Sequence, residues 1–216
     1  MTEPATSTAA GDHGPQAGIH GQPRDTRARI QAVAVELFTE QGYDKTSLRE
    51  IAERLDVTKA ALYYHFKSKE DIVHSLLDDY FGQVDALVAW AGQQPGTPAR
   101  RAEILRRYLD MVIDSQQVYR MMQQNQAALA SLTSANHGEL FRKRMNAIVD
   151  LLAEPGAELP ERVRAAVAAT SVSIAWMLFR DQVADPCELR RAVLDVAFEL
   201  AGARDAAVST EQAGYT

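Results

Sequence analysis

Thr46-Ser47-Leu48-Arg49-Glu50-Ile51-Ala52-Glu53-Arg54-Leu55-Asp56-Val57-Thr58-Lys59-Ala60-Ala61-Leu62-Tyr63-Tyr64-His65-Phe66-Lys67-Ser68-Lys69 decides how this chain folds. The stretch predicts two short helices joined by a tight turn. Ser47 followed three residues later by Glu50 is a capping box for the first helix, and Ile51, Ala52 and Leu55 give that helix an apolar side. Asp56 and Val57 make the turn, and Thr58 is placed to cap the second helix. Ala61 and Leu62 are expected to bury its inner side. Lys59, Ala60, Tyr63, Tyr64 and His65 are left facing outward. No carboxylate lies between Asp56 and Glu70, whereas Lys59, Lys67 and Lys69 all fall in that window. A helix that approaches a dense line of phosphates must shed acids and gather cations. Small residues let its backbone come close, and phenols and hydroxyls reach phosphates or base edges.

Working outward, the net charge of −6 is unevenly distributed. Residues 24–69 hold nine Lys/Arg and seven Asp/Glu, while residues 70–216 hold fourteen and twenty. One end thus suits a polyanion and the larger end does not. Chance variation would also give so small a local excess, and the acid-free run is the sharper signal. Ala, Leu, Arg, Glu and Gln dominate and alternating β-branched runs are missing, so the fold class is all-α. One cysteine, Cys187, excludes an intrachain disulfide and fits a reducing compartment. No signal-like start and no apolar run of about 20 residues is seen, so a soluble cytoplasmic protein is expected.

The chain divides into four parts. Residues 1–23 are a Gly/Pro/Ser-rich arm expected to be disordered. Its His13 and His20 have no further ligands at metal-binding spacing. Residues 24–70 form a three-helix head, its first helix running from about Asp25 to Gln41 on the stripe Ile30, Val33, Ala34, Leu37 and Phe38, with Gly42 as its stop. Arg24, Arg27 and Arg29 crowd the start of that helix, against its dipole, where a phosphate would compensate them; simple solvation is the other reading. Residues 71–204 form a helical body. A fourth helix, Ser68 to about Ala91, is too long to serve the head alone and should bridge the two parts. Five further helices are expected at about 99–115, 118–130, 138–152, 161–183 and 186–202, about nine in all, with an irregular stretch Ser131–Asn136. Residues 205–216 are a polar, flexible tail. The small residues Ala165, Ala166, Ala168, Ala169, Ser171 and Ser173 and the apolar last helix suit either a four-helix dimer interface or an ordinary internal core.

These residues resemble the tetracycline-repressor (TetR) family of bacterial transcription regulators. The resemblance is carried by Thr46 to Ala52 and Val57 to Glu70, with Ala32, Leu37, Phe38 and Gly42 in the first helix; beyond about residue 75 only the helical layout is similar. It implies a helix-turn-helix DNA-binding head and a body that binds a ligand and dimerises. It implies base-edge and groove contacts from Lys59, Ala60 and Tyr63, and phosphate contacts from Thr46, Arg49, Thr58, Tyr64, His65 and Lys69. Arg27, Ser47 and Lys67 join the candidate DNA contacts, and Phe66 is assigned to the core. Arg49 also suits a guanine edge. Tyr63 and Tyr64 also suit partial burial, and His65 a helix C-terminal cation.

The body offers no catalytic constellation, no phosphate loop and no metal motif. An enzyme is not expected, nor a cofactor. His74 and His137 are isolated in sequence and suit surface or capping roles. Soft apolar side chains suit a cavity among helices: Trp90, Tyr108, Met111, Tyr119, Met122, Phe141, Met145, Trp176, Met177 and Phe179. Gln123, Gln124, Asn125, Ser173 and Arg180 are candidates for its polar contacts; simple core filling is the alternative for each. The expected partners are a palindromic double-stranded DNA operator, a second copy of the chain, and a small lipophilic or aromatic effector that releases a repressor. The alternative is a DNA-binding regulator with no effector, whose body only dimerises.

Overall fold

In the computed structural model, residues 23–130 and 135–204 are described; they contain ten α-helices and no strand. The expected disordered arm with His13 and His20, most of the irregular stretch Ser131–Asn136 and the polar tail 205–216 lie outside the described residues, as do the side chains of Arg24 and His137.

The head is α1 (Pro23–Glu40), α2 (Leu48–Arg54) and α3 (Lys59–His65), closed by the first turns of α4 (Lys69–Gly92). Its helices start where local side chains satisfy their orphan amides. Ser47 accepts from the Glu50 amide while Glu50 accepts from the Ser47 amide at 2.7 Å. Thr58 caps α3 through the Ala61 amide, and Ser68 caps α4 through that of Asp71. Gly42 takes φ +95 after α1, and Asp56 takes φ +54 in the turn between α2 and α3. Ile30, Phe38, Ile51, Leu62, Phe66 and Ile72 fill the core. Ala61 does not join them. It is exposed, because the inward face of α3 carries Leu62, with Phe66 turned inward just past the helix end.

Helix α4, about 36 Å long at 1.5 Å per residue, carries both cores. Ile72 and Val73 sit in the head, and Val84, Leu87 and Ala91 in the body. The body continues with α5 (Pro98–Asp114), α6 (Gln116–Gln124), α7 (Gln126–Leu129), α8 (Ala135–Leu152), α9 (Leu159–Phe179) and α10 (Pro186–Leu200). The single helix expected over 118–130 is instead two, broken at Asn125 (φ −109, ψ 20). The cause lies across the molecule. The Asn125 amide nitrogen donates to the carbonyls of Phe38 and Met121, and its oxygen accepts from the Tyr43 amide at 2.7 Å. Met121 and Leu129 are buried with the head residues, so α6 and α7 pack on the head although they follow α5 in sequence.

In α9 the small residues Ala165, Ala168 and Ala169, with Val172, face inward and let α10 approach closely. The opposite side leaves Val163, Val167, Ile174 and Leu178 exposed, with Val196 of α10 also uncovered. Helix α9 is long and apolar enough, by length and composition, to cross a membrane, a closer approach to a spanning segment than the sequence reading allowed. Its packing against α10, α8 and α5 places it in a helical bundle.

Candidate nucleic-acid interface and body cavity

Lys59, Ala60, Tyr63 and Tyr64 stand on the outer face of α3, all exposed, Tyr64 most at 77%. Leu62 and Phe66 anchor the helix from behind, so these side chains ride on a fixed backbone. Lys59 lies 5.6 Å from the Tyr63 ring, and the Tyr64 and His65 rings meet edge-on at 5.1 Å. His65 is half-buried. The Thr58 hydroxyl accepts from Ala61, which leaves its hydrogen free to donate outward. Lys67 is exposed and folds back to the Tyr63 carbonyl at 2.7 Å. Arg49 projects from α2 but pairs with Glu53 at 2.7 Å. Arg27 stacks on the Phe66 ring at 4.7 Å, which brings a cation from α1 to the end of α3.

Three candidates are engaged elsewhere. Thr46 is 2% exposed, and its hydroxyl donates to the Gly42 carbonyl at 2.9 Å and accepts from Gln41. It closes the turn after α1 and presents no side-chain atom to a phosphate. Ser47 gives its hydroxyl hydrogen to Glu50 at 2.8 Å. Lys69 donates to the Tyr43 carbonyl and lies 4.3 Å from the Tyr43 ring, tying α4 to the loop after α1. An ammonium has three hydrogens, so Lys69 keeps donors for a phosphate while serving this tie.

The body holds a cavity of about 480 Å³ between α4, α5, α6, α8 and α9, within the range of small-molecule sites. Tyr108, Tyr119, Met122, Phe141, Ser173, Trp176 and Met177 line it, together with Leu77, Tyr80, Phe81 and Val118, which the sequence reading left out. Those four belong to the same apolar stripes as the core, and only the packing separates the two roles. Burial pushes the Tyr80 and Tyr108 phenols up, so both stay neutral hydrogen-bonding groups in a mostly apolar wall.

Six residues expected there lie elsewhere, and one of them, Phe179, is exposed at the end of α9. Trp90 is stacked under Arg107 at 3.8 Å. Met111 belongs to the body core, and Met145 packs against that core with its sulfur 4.0 Å from the Tyr108 hydroxyl. Asn125 is held between α6 and the head by the three bonds given above. Arg180 borders a neighbouring cavity. Of the other polar candidates, Gln123 donates to the Tyr119 hydroxyl. Among the described residues no cluster of His, Cys, Asp or Glu forms a metal site.

A short capped helix, a turn and an exposed second helix on a three-helix head define a helix-turn-helix protein. Residues 30–76 match the family profile described as "Bacterial regulatory proteins, tetR family". The chain is 35% identical over 97 residues to the HTH-type transcriptional regulator AcrR of Shigella flexneri, spanning 44% of this chain and 43% of that one. It is 28% identical over 158 residues to the HTH-type transcriptional activator FasR of Mycolicibacterium smegmatis, spanning 70% and 71%. The match to AcrR thus covers less than half of that relative. The structure of the ketosteroid transcriptional regulator KstR2 of Mycobacterium tuberculosis superposes with a TM-score of 0.60 at 17% identity, covering 86% of this chain and 97% of that one, and shows the shared fold. Residues 30–76 thus carry a DNA-binding domain similar to that of TetR-family transcription regulators, and the whole chain shares the fold of solved members of that family.

Proposed function

We propose that two copies of this chain bind a palindromic DNA operator and repress transcription until a small lipophilic or aromatic molecule enters the body. The observation that carries this reading is the pairing of an exposed, acid-free α3 with an apolar cavity in the same chain. Lys59, Ala60 and Tyr63 enter the major groove, with Ala60 offering only apolar contact, as to a thymine methyl. Arg27, Thr58, Tyr64, His65, Lys67 and Lys69 hold phosphates, and Arg49 joins them if DNA displaces Glu53. The exposed apolar stripe of α9, with Val196, is the surface that a second copy covers as a four-helix bundle. Two heads then stand about one helical turn of DNA apart, roughly 34–36 Å. Such a regulator works in the bacterial cytoplasm, where the chromosome lies.

Helix α6 connects the two ends of the molecule. Val118, Tyr119 and Met122 face the cavity, while Met121 and Asn125 hold the head. A ligand that fits the cavity better when α6 is displaced shifts the heads out of register. It does so only by its differential affinity for the two arrangements. FasR is named an activator, so the sign of regulation is a separate property of each family member. Selection of bound fragments from random duplex tests DNA recognition, and gel shifts of the selected site across hydrophobic compounds test release. DNA affinity indifferent to every compound would leave the alternative, a regulator whose body only dimerises.

A further inference from the structure

Beside the apolar cavity lies a second one of about 460 Å³, bounded by α5, α6, the end of α9 and the start of α10. Trp176 and Gln116 line both, so the two cavities meet at these side chains. The second carries more charge in its wall. The second is bordered by Arg120, Arg180 and Arg190, with Asp181 as the carboxylate in its wall. Arg190 is satisfied by Asp110. Arg120 and Arg180 share Asp181 at 3.8 Å and 3.6 Å, separations too long for hydrogen bonds. The Arg180 side chain is only 14% exposed, and its Nε and Nη1 are buried without a hydrogen-bond partner; so is Nε1 of Trp176. Buried polar groups in folded proteins are nearly always paired, and a buried guanidinium lacking its acceptors is costly. One carboxylate shared at ion-pair distance by two arginines, and three donors without hydrogen-bond acceptors on two neighbouring side chains at the seam of an apolar cavity, leave a place for a further anionic acceptor.

We propose that the effector is an amphipathic anion. Its apolar part fills the cavity lined by Tyr108, Met122 and Phe141. Its carboxylate or phosphate passes Trp176 and is held by Arg180 and Arg120. This deepens the proposed ligand response and rests on it. Arg180 recognises the head group because a guanidinium pairs two-pronged with such oxyanions. Trp176, at the seam, reports on occupancy of either side.

The test is titration of the full-length protein with decanoate, decyl phosphate, methyl decanoate and decanol, read by tryptophan fluorescence and calorimetry. Decanoate or decyl phosphate should bind at least about tenfold more tightly than the ester and the alcohol, as a charge-assisted pair implies. Whichever of the two binds better identifies the head group. Arg180→Gln should bring the anion down to the affinity of the alcohol while leaving the alcohol unchanged. Equal binding of all four compounds would overturn the anion site and leave the apolar cavity as a ligand site. Failure of all four to bind would overturn the inference together with the ligand response it rests on. Should Arg180→Gln not fold, as judged by circular dichroism, the ranking of acid against ester on the unmodified protein still decides.

Discussion

The head and the body solve the same problem, packing helices, to different degrees of completion. In the head the polar groups at the helix starts and in the loop after α1 have nearby tasks. Ser47 and Glu50 cap each other, Thr58 and Ser68 cap the helices they precede, Tyr43 donates to Glu70 at 2.8 Å, and Lys69 donates to Tyr43. The body leaves a cavity of about 480 Å³ and, beside it, buried donors without acceptors. A surface that reads DNA must be rigid, since groove contacts depend on fixed geometry. A part that responds to a ligand must have something left to gain by binding one. Asn125 joins the two, a body residue whose three side-chain hydrogen bonds reach both the head and its own helix.

The comparison breaks most severely if the head loses its anchor. Leu62→Ala removes a fully buried side chain from behind α3 and should cost about 2–5 kcal/mol in a denaturant titration. Abolished DNA binding should accompany it. The exposed Ala61→Gly should cost only about 1 kcal/mol, and a loss that small from Leu62→Ala would mean that α3 is held otherwise than described.

Next is the joint. Asn125→Ala strands the Tyr43 amide and the Phe38 carbonyl and should cost about 1–3 kcal/mol, seen as a lower midpoint of thermal unfolding. It should also reduce the ability of a cavity ligand to change DNA affinity. Unchanged coupling in a folded Asn125→Ala protein would place the connection elsewhere, with α4 the remaining path.

The turn chemistry of the head was legible in the sequence because its partners are close by. Ser47 and Glu50 are three residues apart, and Gly42 stops α1 by its own backbone freedom. The joint was not legible. Asn125 is polar in a polar run, and its partners Tyr43 and Phe38 are 82 and 87 residues away. A local reading therefore made it a pocket residue in an unbroken helix. Thr46 shows the converse, since a hydroxyl at a loop looks available in sequence until the turn folds over it. In the body the apolar residue types were visible, but which of them line the cavity depends on the angles between helices. Hence Phe81 and Val118 line it without a local signal, while Met111 and Trp90, of equally suitable type, pack elsewhere.

On the DNA side, Lys59→Ala and Lys67→Ala should part company. Loss of Lys67 should weaken binding to all duplexes about equally and reduce the salt slope by about one. Loss of Lys59 should change which sites are recovered from random sequence. The reverse pattern would exchange their roles. Lys69→Ala should combine weaker binding with a lower melting temperature, because Lys69 also ties α4 to Tyr43.

Smaller effects sharpen the picture of the head. The Glu70 carboxyl is held below its ordinary 4.5 by its own backbone amide and by the Tyr43 hydroxyl, and Glu50 is lowered by Ser47. A depressed folded value means that the stabilisation is complete above the unfolded value and is lost as pH falls through the folded one. Stability should therefore decline below about pH 4.5, and Glu70→Gln should flatten that decline in acid titration monitored by circular dichroism. Least of all, Asp56→Gly should stabilise or leave unchanged the turn at φ +54, by at most about 1 kcal/mol. A clear loss on melting would show that the Asp56 side chain does more than occupy the turn.

The account stands most directly on the product of selecting random duplex DNA with purified protein at low ionic strength, with the mass of the complex measured alongside. It predicts two copies of the chain on an inverted repeat whose half-sites lie roughly one helical turn apart. A single copy that recovers no duplex at all would contradict it.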